Sequence, residues 1–129
     1  MDNKTTKLEG TKLFAYEPNG PISELSIIDT VIGDGEVVPE GATITAHYTG
    51  ALAKDGMIFQ SSLDFGQPVT FGLNQVIAGW TKGVPGMRVG GKRRLLIPSN
   101  MAYGSRRVAA NIPPNSDMIF DIELIAINQ

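Results

Sequence analysis

The sequence predicts an α+β domain: a curved antiparallel sheet of five or six strands wrapped over one short α-helix. Three observations predict it. Alternating apolar and polar residues recur along most of the chain, which is the period of half-buried strands. A single window, Ile77–Val84, suits a helix, and Pro85-Gly86 ends it. A helix that short is not stable alone, so it has to rest on the sheet.

Residues 1–24 are polar and punctuated by Pro18, Asn19-Gly20 and Pro21. They read as a peripheral N-terminal arm, with Leu13-Phe14-Ala15-Tyr16 able to dock on the domain or add a short strand. Residues 25–129 form the domain proper. Leu25–Ile32 is β-rich and stops at the turn signal Gly33-Asp34-Gly35. Thr43–Leu52 alternates, with Ile44, Ala46 and Tyr48 facing inward and His47 outward. Met57–Ser61 is a short strand whose parity puts Met57 and Phe59 on one side. Val69, Phe71 and Leu73 form a third alternating set. Lys92-Arg93-Arg94 runs into Leu95-Leu96-Ile97 and reads as the start of a strand rather than a functional basic patch. Asp117–Ile127 places Met118, Phe120, Ile122 and Leu124 on one face. Its other face is also apolar near the end, as suits a strand in the middle of a sheet.

Composition fits one globular domain. Of 129 residues, 42% are hydrophobic and 19% charged, with 11 basic and 13 acidic side chains for a net charge of -2. That balance offers no electrostatic footprint for nucleic acid. The absence of cysteine removes disulfides, thiol nucleophiles and thiolate metal sites, and fits either redox environment. No signal peptide or membrane-spanning run is visible, so no membrane association is expected, and a cytoplasmic location is the expectation.

Most catalytic chemistry lacks its residues. One histidine, His47, cannot form a pair or a multi-histidine metal site, and no base stands near Ser105 in the sequence. Asp117 and Asp121 read as polar positions flanking strand residues. Neither Gly33-Asp34-Gly35 nor Gly90-Gly91-Lys92 has the full pattern of a phosphate loop. No metal and no cofactor is expected.

What remains is an aromatic set around the only tryptophan. Val76-Ile77-Ala78-Gly79-Trp80 is accompanied by His47-Tyr48-Thr49-Gly50, Phe59-Gln60-Ser61-Ser62, Ala102-Tyr103-Gly104, Ile112-Pro113-Pro114 and Ile119-Phe120-Asp121. Tyr48, Phe59, Trp80, Tyr103 and Phe120 make up five of the nine aromatic residues. By pattern they suit either a core or the walls of an apolar pocket. In this order and spacing, over about a hundred residues, the strings resemble the FKBP-type peptidyl-prolyl cis-trans isomerases.

The resemblance implies the same sheet-over-helix architecture and an enzyme that accelerates rotation about X-Pro bonds and assists folding, without covalent intermediate or acid/base residue. It implies a proline ring lying on Trp80 between Tyr48, Phe59 and Phe120. Val76 and Ile77 would line one side, with the Ile77 N–H as a donor to the substrate carbonyl. Tyr103 would supply a hydroxyl donor, and Ile112 an apolar contact at the far end of the Gly104–Asn111 loop. Gln60 stands where many members have aspartate, and Val69 where an aromatic ring lines the rim; Arg106, Arg107 and Val108 make the lip more basic. The implied partners are proline-containing peptides, unfolded or folding proteins, and tacrolimus- or rapamycin-type macrolides, bound more weakly because of Gln60 and Val69. A monomer is expected. Two rival readings are a pocket that binds without turnover and a plain folding chaperone. The short Tyr103–Ile112 loop, which leaves no room for the chaperone flap of some bacterial relatives, weakens the second.

Overall fold

The computed structural model describes residues 8–17, 20–106 and 109–128. Met1 to Lys7, Pro18, Asn19, Arg107 and Val108, which enter the reading above, lie outside them. Six strands are present: β1 (Ser26–Val31), β2 (Thr43–Leu52), β3 (Ile58–Ser61), β4 (Val69–Gly72), β5 (Lys92–Ile97) and β6 (Met118–Asn128). The helix α1 (Ala78–Gly83) lies between β4 and β5 in the chain. The sheet is antiparallel in the order β1-β5-β6-β2-β3, with β4 paired to β2 beside β3. This matches the architecture expected from the sequence. β6 sits between β5 and β2, as its two apolar faces require.

The apolar residues of alternating parity meet α1 on one face of the sheet. Ile44, Leu73, Val84, Leu95, Ile97, Met118, Ile122 and Leu124 are essentially inaccessible there, with Trp80 among them. Helix and strand approach closely because glycines face the sheet: a Cβ on Gly79 would sit 2.6 Å from the Ile97 side chain.

Phe59 on β3 faces the helix-side core, as its parity predicts, but Met57, expected on the same side, is exposed. A β-bulge lies here: Gly50 pairs with Gln60 but Ala51 with Ile58, which leaves Phe59 as the extra residue. Ile58 is also buried, in a second cluster with Leu13, Ala51, Ala53 and Ile119.

That second cluster is where the N-terminal segment packs. Leu13 is buried at 4% exposure. Gly10 and Leu13 donate backbone N–H bonds to Ile58 O and Gly56 O, and Ile58 N–H donates to Thr11 O, all at 2.8 Å. Arg94, paired with both carboxylate oxygens of Asp121 at 2.7 and 2.8 Å, donates to Phe14 O and Ala15 O at 2.8 and 2.9 Å. Asp64 accepts the Leu8 and Glu9 N–H groups, and Asp117 accepts that of Ile22. The segment lies along the sheet with its hydrogen bonds taken up by the domain.

Candidate active site

The cleft opens at the α1 end of the helix-side core. The segment after β4 delivers Gln75, Val76 and Ile77 to its edge, and the first helical turn sets Trp80 beneath it. Strand parity on β2 and β6 brings Tyr48 and Phe120 to the same place. Gly50, directly across from Phe120, lets the rings settle onto the sheet: a Cβ there would sit 2.7 Å from both Phe120 and Phe59. Tyr103 comes from the loop after β5. That loop is held by Gly104 N–H to Ser99 O at 2.8 Å, Asn115 N–H to Gly104 O at 2.7 Å, and the Asn111 amide to Phe59 O at 3.1 Å. Asp117 fixes its start by accepting the Ser99 N–H at 2.8 Å.

The cavity is about 480 Å³, the size of a small-ligand site. Three rings stand nearly perpendicular to the Trp80 indole: Phe71 at 4.8 Å and 81°, Phe120 at 5.4 Å and 83°, and Tyr48 at 5.7 Å and 79°. Edge-to-face contacts of this kind hold an aromatic box in shape beyond the effect of area alone. Trp80 is 4% exposed and forms the floor. The Ile77 N–H, just before the helix, has no acceptor among the described residues.

Of the residues singled out in the sequence, Tyr48, Gln60, Val76, Ile77, Trp80, Tyr103 and Phe120 line this one cleft. Phe59 stands behind it, edge-on to Phe120 at 5.7 Å, and Ile112 is buried in the adjoining core. Val69 pairs with Ala46 on β4 and is not among the lining residues; the ring at that edge is Phe71, two residues on. Phe71 had the same parity signal as Val69 and Leu73, so alternation alone could have found it. Arg106, placed on the lip from the sequence, lines the cleft as well, as does Ala102 of the Ala102-Tyr103-Gly104 string; Gln75 also lines it and carries no pattern that marks it in advance.

The titratable groups of the cleft are two phenols and a guanidinium among the described residues. Burial pushes the Tyr48 phenol above its ordinary value, with the nearby Tyr103 adding to the effect, and burial alone does the same for Tyr103. Both hydroxyls therefore stay protonated at neutral pH and act as donors. By linkage, whatever stability their burial confers is complete below the ordinary tyrosine value and is lost only as pH rises through the raised one. Among the described residues of the lining, Arg106 is the one formally charged side chain. Gln60 and Tyr48 share the cleft, but no hydrogen bond joins them among the described residues. His47 is half-buried outside it, with Nδ1 2.9 Å from the Ser62 hydroxyl. The described residues hold no cluster of three or more metal-ligating side chains, and no helix among them is long and apolar enough to cross a membrane.

Residues 34–125 match the family model described as FKBP-type peptidyl-prolyl cis-trans isomerase. The chain is 44% identical over 110 residues to the peptidyl-prolyl cis-trans isomerase FPR2 of Saccharomyces cerevisiae, covering 84% of this chain and 78% of that protein. It is 46% identical over 108 residues to an FK506-binding protein of Neisseria meningitidis, covering 82% of this chain and 98% of the relative. Among solved structures, AtFKBP13 superposes with a TM-score of 0.73 at 40% identity, over 81% of this chain and 93% of that one. FkpA from Escherichia coli gives 0.74 at 39% identity, over 81% of this chain and 48% of FkpA.

Proposed function

The chain belongs to the FKBP-type peptidyl-prolyl cis-trans isomerase family and is an enzyme of that type, and from that premise we propose that it catalyses X-Pro rotation by environment alone. The barrier to rotation, about 18–20 kcal/mol, comes from amide resonance that twisting destroys. The planar amide is the more dipolar form; the twisted one has a less charged carbonyl oxygen and a pyramidal nitrogen. A water-poor aromatic cleft therefore favours the twisted form relative to water, which is differential binding of the transition state. An acceleration of ~10⁵ requires about 7 kcal/mol at ~1.36 kcal/mol per decade. No one contact supplies that, so the box has to act as a unit.

The observation that carries this reading is the trio of rings standing around Trp80 in a cleft whose described lining holds no carboxylate and no histidine. The proline ring lies on the indole. The Ile77 N–H and the Tyr103 hydroxyl hold the flanking carbonyls, and Val76 and Ile77 favour an apolar residue before proline. Folding polypeptides are the natural substrates, taken up by a monomer. A protease-free exchange assay on short X-Pro peptides tests this reading. Acceleration that is greatest with an apolar residue before proline is the expected result; exchange at the buffer rate with micromolar protein leaves a binding module instead.

The FK506-binding names of relatives support a second ligand class. Tacrolimus- and rapamycin-type macrolides present a pipecolyl ring and adjacent carbonyls to the same floor and donors. Phe71 lines the cleft and Val69 does not, so the Val69 departure lies outside the lining. Gln60 is then the departure that weakens binding, because a neutral acceptor gives about 1 kcal/mol less than a charged one. Gln60→Asp is expected to tighten tacrolimus binding roughly fivefold by calorimetry. An unchanged Kd would remove Gln60 from the account.

A further inference from the structure

Arg93 stands on β5, behind the helix, and no role described so far uses it. Its side chain is buried, with the residue 8% exposed. Nε and Nη2 donate to the two carboxylate oxygens of Asp29 on β1 at 2.7 and 3.3 Å. Nη1 donates to Gly83 O at 2.8 Å and Pro85 O at 3.3 Å. Gly83 is the last residue of α1, and Pro85 follows its C-cap, Val84.

These contacts fall where the helix is least able to hold itself. α1 has six residues, and its N-cap, Ile77, makes no side-chain cap. So short a helix takes its position from its surroundings, and its final carbonyls have no donor within the helix. A guanidinium at that end satisfies them and suits the partial negative charge there. Trp80 lies three residues before Gly83, and the Val84 N–H bonds to Trp80 O at 3.0 Å. Glycines at 79 and 83 leave the helix close against β5, with Ile97 and Leu95 beneath. The Thr81 hydroxyl, donating to Leu73 O at 2.6 Å, ties the middle of the helix to the segment before it. The Arg93 fork, aimed by Asp29, holds its C-terminal end.

We propose that Arg93, oriented by Asp29, is a positioning residue for the isomerase reaction: it fixes the seat of α1 and through it the Trp80 floor and the Ile77 N–H. This rests on Trp80 being the floor of the active cleft. Only a planar fork can face Asp29 and the two helix-end carbonyls together; lysine offers a point charge, and methionine no donor.

The test compares Arg93→Met, Arg93→Lys and Asp29→Asn with the parent. Measured are kcat and KM on an X-Pro peptide, thermal stability, and the emission of Trp80, which is the only tryptophan. Arg93→Met is expected to lower kcat per folded molecule by ten- to a hundredfold, the scale that a ~1 Å misplacement produces, and to shift Trp80 emission. Arg93→Lys should recover part of both, and Asp29→Asn should move both in the same direction by less. If Arg93→Met does not fold, the other two variants carry the test. Folded variants with parental kcat and emission, whatever their thermal stability, would overturn the proposal. Trp80→Leu separates the two levels: parental kcat in that variant defeats the floor reading itself, whereas a loss there alongside parental Arg93 variants defeats the positioning role alone.

Discussion

Trp80→Leu is expected to lower kcat/KM by on the order of a hundredfold, about 2.7 kcal/mol of transition-state stabilisation. Leucine keeps an apolar side chain on the helix but removes the flat surface for a proline ring. It also removes the partner of three edge-on rings, each such pair being worth ~0.5–1.5 kcal/mol beyond area. Phe71, Tyr48 and Phe120 would then relax into the vacated space, so the cleft loses shape as well as floor. A matched control distinguishes catalysis from folding. Leu124 is fully buried on β6 in the same core and does not line the cleft. Leu124→Ala should cost ~3 kcal/mol of stability and leave kcat/KM per folded molecule close to the parent's. Equal activity losses in the two variants would show that the floor has no special part in the reaction.

The second large effect concerns the N-terminal segment. Removal of residues 1–20 uncovers Ala51, Ala53, Ile58 and Ile119, and leaves the carboxylate of Asp64 and two donors of Arg94 without their partners from the segment. The burial of Leu13 and Tyr16 is lost with it. The chain entropy regained offsets part of this. A net loss of ~2–4 kcal/mol is expected, or roughly 10–20 °C in Tm for a domain of this size. Activity per folded molecule should stay within about threefold, because the segment touches the opposite face of the sheet from the cleft and distant sites act nearly independently. Leu13→Ala should reproduce most of the stability loss. A truncation with parental Tm would mean that the docked segment contributes nothing. A folded truncation without activity would mean that Asp117, which holds both Ile22 and Ser99, relays the segment's position to the Tyr103 loop.

The layout of the sheet was legible because alternation is a strong signal where one face is buried. Thr43–Leu52 and Asp117–Ile127 declare their inner faces in the sequence, and Pro85-Gly86 marks the end of the helix. Three features were not legible. The bulge at Phe59 and the exposure of Met57 beside it have no signature in so short a strand. The second cluster is assembled from residues far apart in the chain, Leu13 with Ile119 for example, so no local pattern reports it. At the site, the walls supplied by alternating strands were found; Val69, marked by correspondence with a family pattern as standing where a rim ring does, is not among the lining residues, and Phe71 of the same parity stands 4.8 Å from Trp80. Gln75 reaches the cleft only through a backbone turn that composition does not encode.

The central claim is that the cleft lowers the barrier without any group changing its protonation. The pH dependence of kcat/KM, followed by protease-free exchange on one X-Pro peptide, tests it most directly. The described lining residues include no carboxylate and no histidine, and both phenols are raised above their ordinary value of 10.0, so they stay protonated throughout the range. The expected profile is flat to within about twofold from pH 6 to 9, since general acid–base catalysis alone would imprint its pKa values on it. A bell, or a sigmoidal step with its inflection inside that range while the fold is unchanged, would contradict the account.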